Sequence, residues 1–148
     1  MQVYSRAKFP ESWAMAHSNL AFASFKRIRG ERESNLKKAI FSYQLALQVY
    51  TREDFPEQWA MVQHYAASIY LSRTEGNRSD NLERAISCSQ RALQVYNQQD
   101  FPYRWAATQS NLALAYSQRI QGDKVNNLER AVAAYQKALQ VYAPTNRF

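Results

Sequence analysis

The chain has 148 residues, of which 46% are hydrophobic and 14% aromatic, with only three Gly and four Pro. That balance excludes wholesale disorder and a turn-rich β fold, and leaves ample material for one helical domain. A single cysteine, Cys88, excludes an internal disulfide framework, and a net charge of +7 admits acidic peptides, anionic lipid or nucleic acid as partners.

The first residues, 1–8, carry no apolar core of a signal peptide, and no stretch of the chain approaches eighteen uninterrupted apolar residues. The expected setting is therefore soluble and cytoplasmic. Gln2-Val3-Tyr4 falls in phase with Gln48-Val49-Tyr50, so residues 1–8 read as the end of a preceding repeat helix.

Three units follow, 9–54, 55–100 and 101–146, aligned without insertion and identical at 16 of 46 positions. Each opens on Phe-Pro (Phe9-Pro10, Phe55-Pro56, Phe101-Pro102), then Trp13, Trp59 or Trp105. The prolines predict helix starts, where a missing N–H costs nothing. In the third unit Trp105, Leu112, Ala113, Tyr116 and Ile120 recur at helical spacing, and Gly30, Gly76 and Gly122 fall where a left-handed stop would end the first helix. The second helix is expected to open at Ser34-Asn35-Leu36-Lys37, Asp80-Asn81-Leu82-Glu83 and Asn126-Asn127-Leu128-Glu129. The last two are cap-x-x-Glu signatures. Leu128, Ala131, Val132, Tyr135, Ala138, Leu139 and Tyr142 then trace an apolar stripe, and each unit closes on Ala-Leu-Gln-Val-Tyr at 46–50, 92–96 and 138–142. Small alanines alternate with bulky aromatics, as stacked hairpins require, and three units are about the minimum for a stable array.

Asn111-Leu112-Ala113-Leu114-Ala115-Tyr116, followed by Ala131-Val132 and Tyr135-Gln136-Lys137-Ala138-Leu139, resembles the tetratricopeptide repeat consensus. The resemblance covers essentially the whole chain, but the unit is longer than the usual tetratricopeptide length. The fold class it implies is all-α: a right-handed α-solenoid of three tandem helix-turn-helix repeats, about six long helices in a single repeat domain. Phe-Pro-x-x-Trp-Ala openings with Asn-Leu-Glu-x-Ala second helices further resemble arrays of large bacterial, notably cyanobacterial, proteins that carry a caspase-like CHAT peptidase domain. The chain stops just after Tyr142 with no polar capping helix, so a fragment of a longer array, or a homo-oligomer formed through uncapped ends, is expected.

No residue pattern points to catalysis, a cofactor or a metal. His17 and His64 lie one position out of repeat phase, and Cys88 replaces Ser42 and Ala134 as a small packed residue. Glu83 and Glu129 complement a helix dipole instead of facing a second carboxylate. The expectation is a non-enzymatic scaffold for a protein or peptide partner.

The resemblance implies that first helices line the concave face. Partner-binding positions are then Met15, Ser18, Phe22, Phe25 and Lys26 in the first unit, and Met61, His64, Ser68, Leu71 and Ser72 in the second. Ala107, Ser110, Leu114, Ser117 and Gln118 follow in the third. Family members that clamp a C-terminal carboxylate use Lys and Asn here. Ser18 and Phe22 favour a hydrophobic or helical ligand instead, with Met supplying adaptable contacts. Phe22, Phe25 and Met61 are open to two readings, groove or core. Arg27, Arg73 and Arg119 form a basic ladder near the first-helix ends, with Arg29, Arg32, Arg78 and Lys124 close by. Either these cations satisfy helix C-termini or they bind acidic peptide or nucleic acid. A structural spacer is the third reading.

Overall fold

The computed structural model describes residues 5–26 and 31–143. Among these lie six helices and no strand: α1 (Pro10–Lys26), α2 (Arg32–Ala46), α3 (Pro56–Ser72), α4 (Arg78–Ala92), α5 (Pro102–Gln118) and α6 (Lys124–Tyr142). Each odd helix starts on its proline. A short turn prepares that start in every unit. Ser5 Oγ accepts from Lys8 N at 3.2 Å, Thr51 Oγ1 from Asp54 N at 3.1 Å, and Asn97 Oδ1 from Asp100 N at 2.7 Å.

The second helices begin earlier than their sequence suggests. The N-caps are Asn77 and Asp123, whose side chains accept from Asp80 N at 3.1 Å and Asn126 N at 2.9 Å. Asp80 and Asn126 are thus first-turn residues and not caps. Glu31 caps α2 through backbone geometry alone. The Asn of each Asn-Leu pair has a different task. Buried Asn81 donates to the Glu75 carbonyl at 3.1 Å, and buried Asn127 to that of Gln121 at 2.8 Å. Those carbonyls precede Gly76 and Gly122, both left-handed at φ 82. The glycines lie three residues beyond the C-caps Arg73 and Arg119, so they shape the inter-helix turn and do not stop the helix. Gly30 lies outside the described residues.

Packing follows from small residues at the crossings. Ala39, Ala85 and Ala131, then Ala46, Ala92 and Ala138, are buried and let backbones approach. Around them Leu36, Tyr43, Val62, Ile69, Leu82 and Tyr96 are almost wholly enclosed, each stabilising by roughly 1.5–3 kcal/mol. Trp13 packs on the first cluster of this core, and Trp59 and Trp105 on the third.

Helices pair within units (α1 with α2, α3 with α4, α5 with α6), and α2–α3 and α4–α5 junctions join one unit to the next. In addition the backbones of α1 and α3, and of α3 and α5, come close, whereas those of α2, α4 and α6 stay apart. The odd helices therefore form the closer-packed inner layer and the even helices splay on the outside. At the two junctions Tyr50 meets Phe55 at 5.6 Å and Tyr96 meets Phe101 at 5.3 Å. The string Ala-Leu-Gln-Val-Tyr leaves the helix as a turn at 46–50 and 92–96, yet the identical string stays helical through Tyr142 in α6.

Candidate protein-interaction groove

The inner layer presents one stripe from each odd helix. On α1, Met15, Phe22 and Lys26 are exposed, Phe25 is half-buried against the core, and Ser18 is buried. Phe22 sets its ring edge-on to Tyr65 of α3 at 5.2 Å, and Tyr65 stacks parallel to Tyr43 at 6.4 Å. One face of Phe22 is thereby fixed by the core while the rest meets solvent. The Lys26 ammonium sits 5.7 Å from the Phe22 ring centre and 5.3 Å from that of Phe25, close enough for cation–π attraction.

On α3 the stripe is tied to its neighbours. Met61 is half-buried against the first core cluster and Leu71 against the second. Thr108 donates its hydroxyl to the Arg104 carbonyl at 2.8 Å, so its oxygen accepts from His64 Nδ1–H at 3.0 Å. Burial pushes the His64 pKa from 6.5 down to about 4, which keeps the ring neutral at physiological pH. Asn111 Nδ2 donates to Ser68 Oγ at 2.9 Å, and Ser72 Oγ donates to the Ser68 carbonyl at 2.9 Å. His64 and Ser68 thus fasten α3 to α5.

On α5, Leu114, Ser117 and Gln118 are exposed, and Ala107 and Ser110 are half-buried. Ser117 Oγ turns back to the Leu114 carbonyl at 2.7 Å, and Gln118 accepts from Arg78. Tyr103, four residues before Ala107 on the same stripe, is the most exposed large hydrophobic side chain described. Sequence reading missed it because Glu11 and Glu57 occupy its place in the other units.

The basic ladder is divided. Arg27 and Arg29 lie outside the described residues. Arg73 is fastened to Glu33 of the preceding unit at 2.7 Å, with both side chains largely out of solvent. Arg119 pairs with Glu83 at 2.9 Å and with Asn127 Oδ1 at 3.2 Å. Arg32 and Arg78 bond the carbonyls at first-helix ends: Phe25 O at 2.8 Å, and Leu71 O and Arg73 O at 3.1 and 3.2 Å. Cys88 is buried in the second core cluster, where burial raises its thiol pKa against the pull of Arg91 and Arg84. No helix among the described residues is long and apolar enough to cross a membrane.

The family model described as soluble NSF attachment protein, SNAP, matches residues 56–147, more than half of the chain and the stretch that holds α3 to α6. Neither a curated protein nor a solved structure matches the chain.

Proposed function

Because the chain belongs to the soluble NSF attachment protein family, a family of tetratricopeptide-like helical repeats, we propose that it is a non-enzymatic scaffold that holds a protein partner along its inner layer. The observation that carries this reading is the exposed Met15–Phe22–Lys26 surface of α1, continued by Leu114 and Tyr103 on α5. Apolar side chains left open along one helix face, with a cation at one end, suit an amphipathic helix whose polar edge is acidic. The name of the family denotes attachment to another protein, which is the same kind of task.

The bacterial, cytoplasmic setting and a place as the recruiting arm of a larger signalling protein, of the kind that carries a CHAT peptidase domain, are part of the proposal. They rest on the Phe-Pro-x-x-Trp-Ala openings. Nucleic-acid binding is the less favoured reading, because the Arg73 and Arg119 guanidinium groups already hold carboxylates.

A panel of fluorescein-labelled amphipathic helical peptides, with acidic or basic polar edges, tests the groove by anisotropy. Acidic-edged peptides should bind. Phe22→Ala with Met15→Ala should weaken them about tenfold or more, as loss of about 1.4 kcal/mol would. Equal binding by the double variant, or tighter binding of basic-edged peptides, would overturn the assignment.

A further inference from the structure

The two junctions between units are filled differently. At the α4–α5 junction Leu112 packs on the second core cluster beside Ile86. Its counterpart at the α2–α3 junction, one repeat earlier, is the much smaller Ala66. There a cavity of about 190 Å³ lies between α2, α3 and α4, with Ile40, Leu47, Ala66 and Tyr70 among its walls. It falls below the roughly 300–1,000 Å³ of pockets for drug-sized molecules, so its occupant is small.

The polar groups of this cavity are cations and amides. Arg84, Cys88 and Arg91 succeed one another on one face of α4 at helical spacing, and all three line it. Gln44 of α2 and Gln63 of α3 complete the polar lining apart from the tyrosines, and no carboxylate belongs to it. Among the described residues, neither arginine lies within ion-pair distance of an acid. Burial raises the Cys88 thiol pKa, so the sulfur between them brings no balancing charge. Gln63 is 5% exposed, and among the described residues its amide makes no hydrogen bond, although an amide so enclosed needs a partner. Arg84 and Arg91 are exposed, which puts the guanidinium groups at the mouth and Gln63 at the base.

The next junction shows the contrast. Arg130 and Gln90, in phase with Arg84 and Gln44, both donate to the Tyr116 hydroxyl at 3.3 Å. Arg84 lies over the ring of Tyr70, 5.8 Å from its centre, and among the described contacts no such bond ties it to the hydroxyl. A wider recess of about 580 Å³ borders the cavity through Tyr70, Arg84, Cys88 and Arg91. Asp80 and Glu83 belong to that recess and not to the cavity, and Glu83 is already paired with Arg119.

We propose that this cavity binds a small organic carboxylate, with its charge on the Arg84 and Arg91 guanidinium groups and its apolar body against Ile40, Leu47 and Ala66. The planar guanidinium fork matches a carboxylate, and the Gln63 amide meets whatever polar atom the far end of the ligand carries.

Titration of the isotope-labelled full chain with sodium pentanoate, against sodium chloride at matched ionic strength, tests this by proton–nitrogen correlation spectra. Saturable shifts of the Gln63 side-chain amide and of the Arg84 and Arg91 Nε–H signals are expected. Pentanamide has the body without the charge, and inorganic phosphate the charge without the body. Both should bind about tenfold more weakly or worse. Arg84→Gln with Arg91→Gln, both at exposed positions, should weaken pentanoate by a similar factor. Ala66→Leu, which installs the residue that the next junction already carries, should abolish the Gln63 shift. Circular dichroism checks that its helices survive, and Ala66→Val serves if they do not. Shifts no larger than those of chloride, or equal binding of phosphate or pentanamide, would overturn the proposal. So would pentanoate binding that outlasts the Ala66 substitution in a folded chain. None of these residues lies on the Met15–Phe22–Lys26 surface, so the result is independent of the peptide experiment.

Discussion

His64 is a base held neutral inside a helix–helix contact, and the consequence is a pH-dependent fold. Its pKa falls from 6.5 to about 4 on folding because burial penalises the imidazolium. Between those values the unfolded chain holds a proton that the folded chain rejects, so acid favours unfolding. Stability from this group is complete above pH 6.5 and drains away as the pH falls toward 4, by about 3 kcal/mol in all. Urea unfolding at pH 7.5 and 4.5 should show His64→Gln losing less on acidification than the parent, by about 2–3 kcal/mol. Arg73 makes a second residue-scale case. Its pairing with Glu33 Oε1 is the most enclosed of the ion pairs described, and the buried Glu33 Oε2 accepts no hydrogen bond among the described residues. Arg73→Ala strands a buried carboxylate and should cost about 3–5 kcal/mol. Arg119→Ala, at the more exposed Glu83 pair, should cost less. Equal costs by chemical denaturation would show that enclosure does not set the difference.

Among the elements, the inter-helix turns explain which signals a sequence carries openly. Pro10, Pro56 and Pro102 mark helix starts because proline has one dihedral and no N–H to place, and α1, α3 and α5 begin there. The cap positions were harder to read. Asn77 and Asp80 both suit a cap, three residues apart. The choice falls to Asn77 because Asn81 must reach back to Glu75 O and hold the Gly76 turn, which fixes where α4 can begin. A side chain's choice between two backbone partners is decided by the loop it closes, which no propensity records. The left-handed turn makes a test at this scale. A Cβ on Gly76 would meet nothing closer than the Arg73 side chain at 3.6 Å, so Gly76→Ala meets only the backbone strain of φ 82. It should cost about 1–2 kcal/mol of melting stability. Trp59 anchors α3 on the third core cluster, and Trp59→Ala should cost roughly 3–5 kcal/mol; a value below about 1 kcal/mol would place it outside the packing.

Across the whole molecule, repetition made the architecture legible and concealed the site. Alignment of three units shows the period, the paired helices and the small residues between them, because every unit solves the same packing problem. It says nothing about features that differ between units. Glu33 and Glu83, the partners of Arg73 and Arg119, stand at different places within their repeats, so no ladder of acids accompanies the ladder of arginines. Tyr103 is invisible to the alignment for the same reason. The split between exposed Phe22 and half-buried Phe25 depends on where Tyr65 of the next unit arrives, and one helix's periodicity cannot supply that. Position in the array, and not residue type, should therefore set the energetic worth of the apolar stripe. Ile86 and Val132 are the same place in successive units, one enclosed by α5 and one facing solvent. Ile86→Ala should cost about 2–4 kcal/mol, the range for a buried aliphatic truncated to a cavity. Val132→Ala should change stability by less than about 0.5 kcal/mol. Guanidinium unfolding of the pair measures this directly. Comparable losses at both sites would mean that the stripe's stability belongs to each helix and not to the neighbour stacked on it.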